Sequence, residues 1–380
     1  MVSISAPRVV SPTGILEPGT VRLDGSRIAS VRRGSGGDVD LGTGVLAPGL
    51  VDVQVNGCFG TDLAEASGDG WREVCARLPE TGVTSFQPTF ISAPVPELVQ
   101  ALRRTARLLV GGPLPGARPL GVHLEGPFLS TLHRGAHDPA VLVDPKPEAV
   151  LALLVAAPGL LTMVTLAPER AGALDAVAEL VQAGVRVSVG HSDATAVQVA
   201  AAAEAGATMI THLFNAQRGL HHREPGVPGH ALVDPRLRLG LISDLVHVSA
   251  EVLRLVWAAA GDRVVLVTDA VAAAGMPPGE YVLGGQRIVQ PADGPPVRAD
   301  GVIAGSGLRA DDALAHTVGL GVSLYDAVRA ATLVPADVLG RNDIGRLAPG
   351  APADLVWLDD SLRTRATWVA GEQVYGEAVA

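Results

Sequence analysis

The sequence predicts an α/β chain: a closed (β/α)8 barrel of TIM type carrying a small β-sandwich built from the N- and C-terminal segments. Three observations predict it. The middle of the chain alternates short apolar runs with amphipathic stretches eight times. Both ends instead carry short alternating runs broken by Gly-containing turns, the pattern of small antiparallel strands. One Glu and two His, namely Glu125, His191 and His212, each close a separate apolar run, as happens when parallel strands deliver side chains to one mouth of a barrel.

Taken in order, residues 1–47 form the first part of the small β domain, with alternating runs at 21–23 and 27–31 around Asp24-Gly25 and a Gly-rich stretch at 34–37. Residues 48–344 form the barrel. Its strands begin near Leu50, Val83, Pro119, Leu161, Val185, Thr208, Arg238 and Arg263, and helical patterns cover 70–80, 96–110, 171–183 and 250–259. Eight strand–helix units favour a closed parallel barrel over an open sheet. Residues 345–380 return to short strands and supply the second part of the β domain. A GxGxxG after a strand and a Walker A motif are both missing, so a nucleotide-binding sheet has no support.

Composition agrees. Of 380 residues, 48% are hydrophobic but only 3% aromatic, so the core must be built from Ala, Val and Leu, which suits strands covered on both faces. The net charge of −10 argues against a nucleic-acid surface and leaves room for a small anionic substrate in a local cationic pocket. Neither a basic segment followed by an apolar core nor an uninterrupted apolar run of about 18 residues occurs, so no signal peptide and no membrane span are expected. Cys58 and Cys75 lie outside any CxxC pair and read as reduced structural thiols of a cytoplasmic protein.

The chemistry gathers at strand ends. One carboxylate and two imidazoles (Glu125, His191, His212) form a zinc-type catalytic set with a position open for water. Asp269 follows the last strand and is free to act as a base. The first strand carries Gln54-x-Asn56; amides are poor zinc ligands, so these two either hydrogen-bond near the mouth or touch substrate. His137 lies on a loop from which it can reach a substrate carbonyl. Backbone N–H groups after His212 can bind an anion. The loop His221-His222-Arg223 is either solvated or a phosphate contact, for which Arg is suited by its fork of donors.

With these residues assembled, the chain resembles the N-acetylglucosamine-6-phosphate deacetylases of the amidohydrolase superfamily. The motifs that carry the resemblance are PGLVDVQVNG (48–57), HLEGPF (123–128), GHS (190–192), THLFNA (211–216), REPG (223–226), VTDA (267–270), AAGMP (273–277), AGS (304–306) and ADLV (353–356). The resemblance implies hydrolysis of the acetamide of N-acetyl-D-glucosamine 6-phosphate to D-glucosamine 6-phosphate and acetate, in amino-sugar catabolism or recycling. The alternative is a deacetylase of N-acetylgalactosamine 6-phosphate or another N-acetylated small molecule. It implies one divalent metal per chain, zinc foremost, with Fe, Mn or Co also accepted, held by Glu125, His191 and His212. Asp269 would be base and then acid, and His137 would polarise the acetyl carbonyl. Asn215, Ala216, His247 and Arg223 would hold the sugar phosphate, with Arg223 reaching into a neighbouring subunit of a homodimer. Gln54-x-Asn56 resembles the single-metal branch. Gln217, Leu245 and Arg309 depart from the family pattern and are expected in substrate-facing loops.

Overall fold

In a computed structural model of the chain, which describes residues 1–376, eight parallel strands pair in the order in which they occur: β1 (Leu50–Val55), β2 (Val83–Ile91), β3 (Val122–Glu125), β4 (Leu161–Leu166), β5 (Arg186–Val189), β6 (Met209–Ile210), β7 (Arg238–Leu241) and β8 (Val264–Leu266). All eight lie where the apolar runs predict them. Alternation along each strand supplies two cores. On β4, for example, Val164 and Leu166 join the large outer cluster beneath the helices, whereas Met163 joins an inner cluster with Val51, Val53, Met209 and Val265.

The seam between β8 and β1 is closed differently. No regular ladder joins them; Asp269 N–H donates to Gln54 O (3.0 Å) and Asn56 N–H to Ala270 O (2.8 Å). Thr268 Oγ1 adds a 2.6 Å bond to the buried Asp52 carboxylate. The sheet therefore closes through the segment that carries Asp269.

A helix follows each strand, with the longest at Val95–Val110, where Leu98, Ala101, Leu102 and Thr105 form the buried face. That spacing is one face of a 3.6-residue period. Helix Ala196–Glu204 starts on a capping box, with Thr195 and Gln198 bonding reciprocally. The helices read at 70–80, 96–110, 171–183 and 250–259 appear as Gly68–Arg77, Val95–Val110, Ala173–Gln182 and Ala250–Ala260.

The two ends of the chain meet in a sandwich. Strand Val45–Pro48 runs antiparallel to Leu355–Leu358 within a six-stranded sheet that also takes in Arg8–Ser11 and Thr364–Val369. A four-stranded sheet made of Arg27–Arg33, Gly19–Asp24, Val2–Ala6 and Val39–Asp40 supplies the other layer. Val9, Val21, Ile28, Leu46, Leu355 and Trp368 form their shared core. Of the segment expected over 345–380, residues 377–380 lie outside the described residues.

One element goes beyond the sequence reading. Between Asp269 and helix Ala310–Gly319 the chain forms a three-stranded sheet, Gly279–Leu283, Gln286–Gln290 and Val297–Arg298. Its hairpin turns on Gly284-Gly285, both at positive φ (54° and 74°), the two-residue loop that matches strand twist. Among the described residues, no helix is long and apolar enough to cross a membrane.

Candidate metal centre and active site

Glu125 is the last residue of β3, His191 lies two residues beyond β5, and His212 two beyond β6. His191 (φ 47°), His212 (φ 27°) and Asp269 (φ 52°) all adopt the left-handed region, uncommon for residues other than Gly. Backbone strain of this kind persists where surrounding structure enforces it, characteristically at functional sites. Gly190 shows the enforcement: a Cβ there would meet Thr211 Cβ at 2.7 Å, so this turn admits only glycine.

The three side chains converge. Glu125 Oε1 lies 2.9 Å from His212 Nε2 and 3.3 Å from His191 Nε2, and the two Nε2 atoms are 3.0 Å apart. All three residues are buried. His191 Nδ1 donates to His133 O (2.9 Å), which leaves the Nε2 lone pair facing the cluster, the tautomer a metal ligand needs. Burial alone pushes Glu125 upward, yet the two imidazoles hold it well below the usual carboxylate range. Burial likewise opposes charge on His212, and Glu125 more than offsets it, so the His212 pKa is raised. The cluster thus favours positive charge among its atoms, and one carboxylate oxygen with two imidazole nitrogens is the donor set of a catalytic divalent ion. Among the described residues, this is the group of acidic, His or Cys side chains placed to hold a metal.

Asp269 faces the cluster. Its Oδ1 accepts from Asn56 Nδ2 (2.7 Å) and Gln54 Nε2 (3.1 Å), while Oδ2 has no hydrogen-bond partner among the described residues. Burial first, and then the negative charge of Glu125, push its pKa up to about 7, within the range useful to a general base. Positive charge at the cluster works in the opposite direction. Gln54 Nε2 also lies 3.2 Å from Glu125 Oε1. Gln54 does not line the cavity; of the two readings open for it, the structure shows the hydrogen bonds near the mouth, its amide being engaged by the two carboxylates.

His137 sits across the cavity, its ring 4.4 Å from that of His191. The Ser92 backbone N–H donates to His137 Nδ1 (3.2 Å). Nδ1 is therefore an acceptor, and the ring hydrogen resides on Nε2, 3.9 Å from Glu125 Oε2. Burial, then the charge of His191, hold the His137 pKa down to about 3, so the ring is a neutral donor.

These groups open on a cavity of about 380 Å³, of a size for a small molecule. Asn56, Asn215, Ala216 and His247 line it, as do the ligand set, His137 and Asp269. His247 Nδ1 is 2.6 Å from Asp244 Oδ2. Burial pushes Asp244 upward, and the His247 contact brings it below its usual value. Among the described residues, the lining contains no Lys or Arg. Arg223 is exposed beside His222 (2.9 Å) and does not line the cavity of its own chain.

None of the three departures lines the cavity, although Gln217 and Leu245 share loops with Ala216 and His247, which do. Gln217 is buried and braces the turn after His212, accepting from Phe214 N–H and donating to Thr211 O. Arg309 pairs with the fully buried Asp311 and donates to Glu80 O. Leu245 is half exposed at φ 64°. Conversely, sequence reasoning missed Ser92, His133 and the apolar wall of Leu283, Val302 and Ile303. Only the position of Ser92 directly after β2 could have singled it out.

Comparison with known proteins points the same way. The model of the Amidohydrolase family matches residues 45–374. An N-acetylgalactosamine-6-phosphate deacetylase of Escherichia coli O157:H7 is 37% identical over 372 residues, covering 97% of this chain and 98% of that protein. An N-acetylglucosamine-6-phosphate deacetylase of Danio rerio is 40% identical over 349 residues, covering 89% and 86%. A solved structure of a Mycobacterium smegmatis N-acetyl-D-glucosamine-6-phosphate deacetylase mutant, in complex with N-acetyl-D-glucosamine-6-phosphate, superposes with a TM-score of 0.93 at 38% identity, covering 98% of each chain.

Proposed function

The chain belongs to the amidohydrolase family, and from that membership we propose that it hydrolyses the acetamide of N-acetyl-D-glucosamine 6-phosphate, giving D-glucosamine 6-phosphate and acetate, in amino-sugar metabolism. The observation that carries this reading is the pairing of Asp269 with the Glu125–His191–His212 cluster at one cavity.

A divalent ion held by Glu125, His191 and His212 supplies a lowered water pKa and a polarised carbonyl when bound; we assign zinc, and the same donors accept Fe(II), Mn or Co. Asp269, its Oδ1 fixed by Asn56 and Gln54, takes a proton from the attacking water on Oδ2. It then delivers that proton to the departing sugar nitrogen. His137 donates its Nε2–H to the acetyl oxygen as negative charge develops there. Asn215, Ala216 and His247 hold the sugar. Since the lining offers no Lys or Arg, the phosphate draws its cation from elsewhere, and Arg223 of a second copy in a homodimer is the group we assign. Two buried free thiols, Cys58 and Cys75, fit a reducing cytoplasm.

A second reading, N-acetylgalactosamine 6-phosphate as substrate, is favoured by the Escherichia coli relative, which matches nearly end to end. The test is acetate release by the zinc-loaded chain from both phosphorylated sugars and from N-acetylglucosamine. Preference for the glucosamine phosphate is expected. Preference for the galactosamine phosphate would move the assignment to the epimer, and equal turnover of the unphosphorylated sugar would remove the phosphate site.

A further inference from the structure

His137 is gripped from two directions, and only one involves its ring. Ser92 fixes the imidazole at Nδ1. The backbone before it is fixed by the inserted three-stranded sheet: Ala136 O accepts from Arg298 Nη1 (2.8 Å) and Gln286 Nε2 (3.2 Å). The peptide joining Ala136 to His137 is a rigid plane, and its other polar end, the His137 N–H, donates to Arg134 O (3.0 Å). Both ends of that plane are thus tied, and Ser92 ties the ring beyond it.

The Arg298 side chain is 20% exposed and lies 3.4 Å from Asp300 Oδ2, while its backbone N–H donates to Val302 O. Behind the clamp, Leu283 and Ile288 of the sheet join Ile91, Val271 and Ala273 in a small apolar core, against which Ala136 packs. Ile91 directly precedes Ser92, so the ring contact and the backbone clamp share one support. Neither Arg298 nor Gln286 lines the cavity.

We infer that Arg298 is a positioning residue for His137, acting through the Ala136 carbonyl to place the Nε2–H where the acetyl oxygen acquires charge. The inference rests on the deacetylase reading for its catalytic consequence and on the clamp geometry for its structural one. Removing an oxyanion donor reduces turnover by a hundredfold or more, and misplacing a group by about an ångström has effects of similar order.

The test is R298M with R298K as its conservative partner, in wild-type and H137A backgrounds, with thermal melting and metal content recorded for each. R298M is expected to lower kcat about 10- to 100-fold with KM within about twofold, and R298K, which keeps one donor, to recover most of it. In the H137A background R298M should cause no further loss, since the group it places is gone. An equal loss in both backgrounds, or wild-type kcat in R298M, would overturn the inference. Hydrogen exchange reads the clamp without turnover: exchange of the His137 amide should accelerate in R298M and recover in R298K. Unchanged exchange sinks the clamp even in an active enzyme. A wild-type chain that releases no acetate sinks the deacetylase reading, while exchange still judges the clamp.

Discussion

Asn56 donates a 2.7 Å hydrogen bond to Asp269 Oδ1 across the seam that closes the barrel. The bond joins the first strand to the segment after the last, and it orients one oxygen of the proposed base while leaving the other unpartnered. Replacing Asp269 by Asn should lower kcat by roughly 10²–10⁴-fold, the range of general acid–base catalysis. Metal content per chain should stay at the wild-type level, because Asp269 is outside the ligand set. An active D269N enzyme would remove Asp269 from proton transfer.

Asn56 stabilises the ionised form of Asp269, and its bond lowers the Asp269 pKa. In N56L that donor is gone, so the pKa rises. A base must be ionised to act, and the acidic limb of the kcat/KM profile should therefore move to higher pH. A limb that stays in place, or moves to lower pH, would show that Asn56 does not tune Asp269.

Metal binding should be visible as stability. An ion that binds the folded chain at a thousand times its Kd stabilises it by about 4 kcal/mol. Chelation is expected to abolish acetate release and lower Tm, with one divalent ion per chain restoring both. H191N and H212N should show little rise in Tm on adding zinc. A full rise in either variant would place the ion elsewhere.

Arg223 stands apart from the cavity of its own chain. R223A should raise KM for a phosphorylated sugar far more than for an unphosphorylated one. Mixing inactive D269N with R223A chains offers a sharper check. A mixed dimer has one site with both an intact Asp269 and an Arg223 supplied by the other copy, so activity should reappear. Mixtures no better than the sum of the parents would argue that the residue acts within its own chain, or not at all.

Asp52 carries a pH signature of its own. Burial pushes its pKa up to about 6, against the Thr268 and Gln54 hydrogen bonds that lower it. A carboxyl raised on folding contributes its stability when protonated, so the contribution is full below the unfolded value near 3.8 and lost as pH rises through about 6. Stability of the wild type relative to D52N should fall across that window by about 3 kcal/mol and then level off. A difference independent of pH would mean that Asp52 does not titrate there.

The sequence by itself determined the barrel, because parallel strands covered on both faces must read as apolar runs, and the run lengths locate β1 to β8 to within a few residues. It also singled out the residues that meet at the centre. Glu125, His191, His212 and Asp269 each end a run, and side chains at the C-terminal ends of barrel strands share one mouth whatever their separation along the chain. Only the tertiary structure decided the rest, since hydrogen bonds between residues far apart in sequence leave no local pattern. Gln54, for which the sequence leaves a substrate contact and a hydrogen bond near the mouth equally open, bridges two carboxylates. Arg309, read as facing substrate, pairs with Asp311 away from the cavity. Ser92, an ordinary residue after a strand, fixes the tautomer of His137 from 45 positions away. Arg298 reaches the same loop across 162. Periodicity encodes which face of an element is buried; which donor meets which acceptor is settled only when the elements pack.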